Sequence, residues 1–433
     1  MRYYIDVYGC QMNVHDSEII SGILQSGGFE QVFDPADARV ILLVSCAVRE
    51  HAETRVLGRA AQLGGLWKGR EGGRPLIVLC GCVAQEHGEA LLKKYRDLDL
   101  VVGPDCYREL PCLIAKASPE SLVEFTGDDY EGIEPVRRDF PRAFVTIMRG
   151  CDNFCSYCIV PFVRGRERSR SWKKVIDEVK SLADEGYGEI TLLGQNVNSY
   201  LDGQVTFPGL LEKVSRAAGR SWVRFVTSHP RDLDRELVSV MASADNICDQ
   251  LHLPFQSGSD RVLKRMNRGY TSDEYLEKIT MLREAMPGIV LSTDVIAGFP
   301  GETPEDFAGT VSMLEEVRFD YAFLFRYSER TGTAATSMEN SVPEEERLER
   351  LGALQELQRG ITTEKSKELA GKHLEVLVTG PARYPGQQAA RSRGNRMVVL
   401  DGTDYPEGSL VTVRIDRADG WTHFGVPAAP GSP

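Results

Sequence analysis

Apolar residues along the first hundred positions come in short solid runs, "YYIDVY", "RVILLVS", "PLIVLC" and "LDLVVG". The stretches between them repeat apolar residues every three or four positions. Solid runs of this length predict buried strands, and the 3.6-period stretches predict helices. In "DSEIISGILQSGG", Ile19, Ile20, Ile23 and Leu24 share one helical face, and Gly27 and Gly28 suit its C-terminus. Strand and helix in alternation predict a doubly wound parallel α/β domain over residues 1–125.

A charged, turn-rich connector, "EFTGDDYEGIEPVRRDFPR", follows, and then the alternation restarts. "AFVTIM", "EITLLGQ", "VRFVTSH", "CDQLHLPFQ", "VLSTDVIAGF" and "YAFLFRYS" read as six strands, with amphipathic helices such as "KKVIDEVKSLADEG" between them. That spacing predicts a parallel, partial TIM-like barrel over residues 140–365. After a long charged helix, "HLEVLVTG", "NRMVVLDG" and "GSLVTVRID" alternate apolar and polar positions between Gly turns. They predict a small antiparallel β-barrel over residues 366–428.

Length agrees with this division, because 433 residues are too many for one core. No targeting segment precedes the first strand, and the longest apolar run is too short to span a bilayer, so a cytoplasmic protein is expected. A chain of this size without a secretory signal keeps its ten cysteines reduced, which favours metal binding over disulfides. The net charge of −12 argues against coating nucleic acid by bulk positive potential. Two local runs depart from it. "RGRERSRSWKK" holds Arg164 and Arg166, and "RYPGQQAARSRGNR" holds Arg391, Arg393 and Arg396. Charge runs are usually solvated faces, but two in an acidic chain fit a docking surface for a polyanion.

The cysteines carry the chemistry. Cys151, Cys155 and Cys158 sit in "GCDNFCSYC", with no fourth Cys or His nearby to close a zinc site. Three thiolates in a short loop suit a 4Fe-4S cluster with one iron left open. Cys10, Cys46 and Cys82 each follow one of the first three strands, whose ends share one edge of a parallel sheet, where ligands bind. A second three-thiolate set is therefore expected there. Cys80, Cys106, Cys112 and Cys248 read as structural. Residues two apart on a strand share a face, so strand geometry leaves Cys80 open as the alternative to Cys82. Gln195, Asn196, Ser228, Gln256, Ser257 and Asp294 lie at strand ends, which a parallel barrel gathers on one face. Singly, each could be a helix cap.

CxxxCxxC with Tyr157 before its last cysteine resembles the signature of radical S-adenosylmethionine enzymes. "YGCQMN", "SCAVREHAE", "GCVAQ", "CIVPFVRGRERSR", "LLGQNVNSY", "QSGSDRVLKRMNR", "GFPGET" and "RYSERTGTAA" extend the resemblance to the methylthiotransferases. Within them the chain is most similar to the tRNA isopentenyladenosine type (MiaB type). The resemblance implies an amino-terminal cluster domain, a radical barrel and a terminal TRAM domain that grips RNA. It implies two 4Fe-4S clusters, with Cys82 taking the third auxiliary position, and S-adenosylmethionine chelated at the open iron of the Cys151, Cys155 and Cys158 cluster. Tyr157, the polar strand ends and Gly298 would be cofactor contacts. Arg164, Arg166, Arg391, Arg393 and Arg396 would meet RNA.

The implied reaction joins sulfur and methyl to carbon 2 of isopentenyladenosine in tRNA. An electron donor such as flavodoxin or ferredoxin and a sulfur or cluster donor would serve it, and a monomer is expected. The chain departs from the family pattern at Val44-Ser45, where Asn-Thr is usual, and at Cys80, where Gly is usual. "DVIAGFPGE" fits the Gly-rich strand motif only loosely. Alternatives are a sister enzyme acting on threonylcarbamoyladenosine or on a ribosomal-protein aspartate, and a non-catalytic iron-sulfur protein that binds RNA.

Overall fold

The run Val40–Ser45 becomes a strand with every side chain buried, as a fully covered parallel sheet requires. The structure, a computed structural model, describes residues 1–48, 50–66 and 74–428. Arg49 of "SCAVREHAE" lies outside the described residues. The chain divides into two compact units. The first holds Met1–Arg138, Met148–Asp152 and Cys158–Arg170, and the second Asp139–Ile147, Asn153–Tyr157 and Ser171–Pro433.

In the first unit, β1 (Arg2–Tyr8), β2 (Glu30–Gln31), β3 (Val40–Ser45), β4 (Leu76–Gly81), β5 (Leu100–Val102) and β6 (Glu120–Leu122) form one sheet in the order β2-β1-β3-β4-β5-β6. All five pairings are parallel. Helices α1 (Gln11–Ser26), α2 (Glu50–Leu66), α3 (Cys82–His87), α4 (Glu89–Lys94) and α5 (Leu110–Lys116) connect them. Ile19, Ile20 and Ile23 of α1 pack with Leu110 and Leu113 of α5 on one face, over Tyr3, Val40, Leu42 and Val78. Val56 and Ala60 of α2 cover the other face with Val83 of α3, over Ile41, Leu43, Ile77 and Leu79. The sheet is thus doubly wound, and the four anticipated strands are its centre. The two edge strands, of two and three residues, are too short to leave a periodic signal.

After β7 (Arg142–Thr146), the first unit takes the short ribbon of β8 (Met148–Arg149) and β9 (Arg168–Ser169), with α6 (Val160–Arg164) between them. The second unit continues through α7 (Trp172–Asp184), β10 (Glu189–Leu193), the ribbon β11 (Leu201–Asp202) and β12 (Val205–Thr206), α8 (Phe207–Ala218), β13 (Trp222–Phe225) and α9 (Arg235–Ser243). Then come β14 (Gln250–His252), α10 (Asp260–Arg265), α11 (Ser272–Ala285), β15 (Val290–Ala297), α12 (Pro304–Val317), β16 (Tyr321–Arg326) and α13 (Glu344–Lys367). The six expected strands are present as two parallel three-stranded sheets, β13-β10-β7 and β14-β15-β16. A parallel bridge pairs Val223 of β13 with Ile247, just before β14. The helices are well specified. Val175, Ile176, Val179 and Leu182 bury one face of α7, while Thr271 with Glu274 and Thr303 with Asp306 form capping boxes on α11 and α12.

The terminal residues close a five-stranded barrel from β17 (His373–Pro381), β18 (Gln387–Ser392), β19 (Met397–Asp401), β20 (Leu410–Asp419) and β21 (Thr422–Pro427). One pairing, β19 with β21, is parallel and the rest antiparallel. The basic stretch read as part of a docking surface for a polyanion is in part the strand β18, with Arg391 on it. Arg393 and Arg396 are tied into the same unit. Arg393 pairs with Asp249 at 2.8 Å and donates to the carbonyls of Asp245 and Ile247 at 2.6 and 2.7 Å. Arg396 is buried against Asp320. Leu377 of β17 packs with Trp222 and Cys248. No helix among the described residues is long and apolar enough to cross a membrane.

Candidate functional site

Parallel register brings the first cysteine set together. Tyr8 of β1 stands beside Ser45 of β3, and Ser45 beside Gly81 of β4. Cys10, Cys46 and Cys82 therefore leave neighbouring strands at the same edge, where the order β2-β1-β3 reverses the direction of winding. Two glycines permit the approach. A Cβ on Gly9 would lie 2.7 Å from the Cβ of Cys46, and one on Gly81 only 2.5 Å from the Ser45 carbonyl. Gly81 also has φ +97°, which turns the chain from β4 straight into α3.

That turn separates Cys80 from Cys82. Cys80 ends in the core beneath α1 and α5, whereas Cys82 opens α3 and belongs to the core on the opposite face. The strand rule of shared faces fails here because β4 stops between the two residues. Cys80 is fully buried, and burial pushes its thiol up. Cys106 and Cys248 are also buried, and Cys112 is exposed.

The thiols interact. A hydrogen bond between Cys10 and Cys46 lowers the Cys10 thiol and raises that of Cys46. Burial pushes Cys82 up, opposed by the nearby Arg164 guanidinium. Cys10 donates to Asn13 Oδ1 at 3.2 Å, and Asn13 Nδ2 donates to the Ser45 carbonyl at 2.8 Å, tying the start of α1 to the end of β3. Nearby, Glu53, Glu86 and His87 bring three possible ligand atoms within 4.8 Å of one another, with His87 and Glu53 hydrogen-bonded at 2.9 Å.

Arg164 is the main departure from expectation. Read as an RNA contact, it is buried at 3% exposure, with Nε 3.1 Å from the Cys82 sulfur and Nη2 2.7 Å from Asp16. Asp16 also receives Arg149 at 3.2 Å and the Tyr107 hydroxyl at 3.4 Å. Burial works to raise the Asp16 carboxyl, and the two guanidinium groups hold it below its ordinary value instead. The run "RGRERSR" does not resemble a core segment, so charge counting missed this placement. Arg396 departs likewise, through its buried pair with Asp320. Arg391 is half-buried and donates to Asn395 Oδ1, and Arg393 is engaged with Asp249. Arg166 remains exposed, paired with Asp152 at 2.7 Å.

The second cysteine set is split between the units, with Cys151 and Cys158 in the first and Cys155 in the second. Cys151 is buried, its amide 3.2 Å from the Gly165 carbonyl, and Cys158 is half-buried. Cys155 receives Nη1 of the buried Arg268 at 3.4 Å. Arg268, which sequence reasoning passed over, also donates to the Tyr270 hydroxyl at 3.2 Å and the Pro254 carbonyl at 2.9 Å. Tyr157 meets Phe299 edge-on, with ring centroids 6.4 Å apart.

The polar strand ends of the second unit fall into two groups. Asn196, Ser228 and Gln256 are buried, and Asn196 Oδ1, Ser228 Oγ and Gln256 Oε1 have no hydrogen-bond partner among the described residues. His229 Nε2 is in the same state, while its Nδ1 accepts from the Arg231 amide. Burial, helped by Arg268, depresses His229 to about 2, so its imidazole is neutral. Buried polar atoms are nearly always satisfied, so a set of orphans at successive strand ends suits a polar ligand. The other group is taken up inside the protein. Ser257 Oγ accepts from the Ser259 amide at 3.3 Å, and the Gly298 amide donates to Glu302 at 2.9 Å. A Cβ on Gly298 would also lie 2.4 Å from Arg347. Both thus have partners within the protein. Half-buried Asp294 faces His252 at 3.4 Å, and Gln195 is half-buried.

Family models match all three regions of the chain. The model described as "Radical SAM superfamily" matches residues 145–314, "Uncharacterized protein family UPF0004" residues 2–103, and "TRAM domain" residues 367–427. Among curated proteins, the tRNA-2-methylthio-N(6)-dimethylallyladenosine synthase of Thermoanaerobacter sp. (strain X514) is 46% identical, covering 98% of this chain and 92% of its own. The proteins of the same name from Prosthecochloris aestuarii and Moorella thermoacetica are 46% and 44% identical, over 99% and 97% of this chain and 98% and 96% of theirs. Among solved structures, the radical S-adenosylmethionine methyltransferase TsrM from Kitasatospora setae aligns with a TM-score of 0.59 at 14% identity, over 90% of this chain and 77% of its own. That likeness concerns the fold. With identity at this level over nearly the whole length, the chain belongs to the tRNA-2-methylthio-N6-dimethylallyladenosine synthase family of the radical SAM superfamily.

Proposed function

We propose that this chain is a radical SAM methylthiotransferase that places a methylthio group on carbon 2 of isopentenyladenosine in tRNA, using S-adenosylmethionine and two 4Fe-4S clusters. The observation that carries this reading is the convergence of Cys10, Cys46 and Cys82 at one sheet edge, in a chain whose full-length relatives bear that activity in their names. Carbon 2 offers no acidic proton to a general base, and the one-electron chemistry that overcomes this is supplied by the clusters and cofactor when bound.

The chain's own residues bind and orient. Cys10, Cys46 and Cys82 would hold the auxiliary cluster, and Cys151, Cys155 and Cys158, by their spacing, the other. The unpaired atoms of Asn196, Ser228, His229 and Gln256 would take the polar groups of S-adenosylmethionine, with Tyr157, Gln195 and Asp294 as further contacts. Neutral His229 can donate or accept there without adding charge. The six strands from β7 to β16 would form the open radical barrel of residues 140–365, between a cluster domain of 1–125 and a TRAM domain of 366–428.

For RNA, exposed Arg166 and the tip of the β17–β18 hairpin are the better supported contacts. At that tip Arg383 stacks on the exposed ring of Tyr384, 5.8 Å from its centroid, the pairing of cation and aromatic that unstacked bases favour. The protein would act as a cytoplasmic monomer, with flavodoxin or ferredoxin as electron donor and a separate sulfur donor. Mass spectrometry of tRNA nucleosides from a strain lacking the gene, with and without a plasmid copy, tests the reading. The methylthiolated nucleoside should vanish and return. Its persistence in the deletion strain would overturn the assignment.

A further inference from the structure

In the first unit, two buried guanidinium groups share one buried carboxylate. Arg149 and Arg164 are 2% and 3% exposed, and both pair with the single, fully buried carboxylate of Asp16. One carboxylate balances one guanidinium, and an uncompensated buried charge is strongly destabilising. The Tyr130 ring, 5.0 Å from the Arg149 guanidinium, offers only its π face. Arg149 Nε and Nη2 have no hydrogen-bond partner among the described residues, and Arg164 Nε donates to the Cys82 sulfur. A free thiol is a weak acceptor, whereas a cysteine sulfur bound to metal is deprotonated and accepts a guanidinium N–H strongly. Arg164 Nη1 is buried as well, with no hydrogen-bond partner among the described residues. Arg164 thus has one nitrogen on a carboxylate, one on a cysteine sulfur and one left over.

We propose that Arg164 is the positioning residue of the Cys10, Cys46 and Cys82 site: clamped by Asp16, it donates through Nε to the Cys82 thiolate and keeps Nη1 for the anionic sulfur group that the three thiolates hold. The inference rests on the reading that these thiolates carry an iron-sulfur cluster. A hydrogen bond and a positive charge at a ligand sulfur favour the more reduced, more negative state, so they raise the reduction potential and slow iron loss.

The test uses the full chain with Cys151, Cys155 and Cys158 replaced by Ala, so that only the first-unit cysteines take iron. After anaerobic reconstitution, iron and sulfide are counted, and the cluster is titrated with dithionite under EPR. Arg164→Gln should shift the reduction equilibrium at least tenfold toward the oxidised state, about 59 mV for a one-electron couple. It should also release iron to a chelator several-fold faster. Arg164→Lys, which restores charge without the planar fork, should fall between. In the parent protein grown with 15N-arginine, pulsed EPR of the reduced cluster should show a guanidinium nitrogen coupling, a readout independent of whether either variant folds. Absence of that coupling, or an iron-loaded Arg164→Gln with unchanged potential and release rate, overturns the role of Arg164 alone. A parent that takes up no iron overturns the cluster reading, and this inference with it.

Discussion

At the scale of single residues, two cysteines separated by one glycine are the sharpest test of the site. Cys82→Ser should remove the iron bound by the first unit and abolish methylthiolation, while S-adenosylmethionine cleavage persists. Cys80→Ser should leave iron content unchanged, and its cost should be in stability. A hydroxyl buried without a partner costs about 1–3 kcal/mol, readable as a lower denaturation midpoint. Iron loss in Cys80→Ser at normal stability would show that the Gly81 turn does not separate the two roles. His229 gives a second residue-scale test, in pH. Its folded-state pKa, about 2, lies below the unfolded value near 6.5. Between those values the unfolded chain binds the extra proton, so this group's contribution is complete above pH 6.5 and fades as pH falls. The loss should be about 1.4 kcal/mol for each pH unit below 6.5, reaching on the order of 2 kcal/mol at pH 5. Urea titrations at pH 7.5 and 5 should therefore show a smaller difference in His229→Gln than in the parent. Equal differences would mean that the imidazole is free to protonate in the folded protein.

At the scale of elements, the sequence was legible wherever an element is long and buried on a definite face. The central strands of the first sheet, the six strands of the second unit and the helices between them follow directly from the apolar pattern. The short strands β2 and β6 were not legible, because two or three residues carry no period. The first cysteine set was legible because parallel strand ends share an edge, whatever the side chains between them. What stayed hidden was the fate of charged runs. Arg164 and Arg396 are buried because each meets a carboxylate far away in sequence, Asp16 and Asp320, and no local pattern encodes that meeting. This placement reverses what mutation of "RSRGNR" should do. Arg396→Ala leaves Asp320 with Lys365, at 2.9 Å, as its remaining cation, and removing one partner of a buried ion pair is destabilising. Its effect should therefore be a lower unfolding temperature, with the salt dependence of tRNA binding unchanged in the protein that remains folded. For Arg383→Ala the expectation is opposite: unchanged stability and a log-log salt slope smaller by about one phosphate contact. A stable Arg396→Ala with a reduced salt slope would restore the surface reading of that residue.

At the scale of the whole molecule, the terminal barrel is not an appendage on a tether. It belongs to the same compact unit as the parallel sheets. Leu377 of β17 is fully buried against Trp222 and Cys248, Arg393 reaches Asp249 and two carbonyls, Arg396 reaches Asp320, and Ser366 of α13 meets His423 of β21 at 3.2 Å. Arg224 ties the centre of the β13 strand into this network, donating to Glu189 at 2.9 Å and to the Arg393 carbonyl at 3.0 Å. Ending the chain at Gly371 would strip all of these partners at once. It would leave Trp222 without its apolar cover and Asp320 without one of its two cations. Uncovered apolar surface and a weakened buried ion pair both favour unfolding. The truncated protein should lose cooperative thermal unfolding or aggregate, even in the presence of S-adenosylmethionine. If the barrel served only to grip RNA, the truncated protein would instead melt as cooperatively as the parent, at the same temperature, and bind S-adenosylmethionine equally well. Calorimetry of the two chains, read beside their cofactor binding, decides between a structural wall and a detachable RNA clamp.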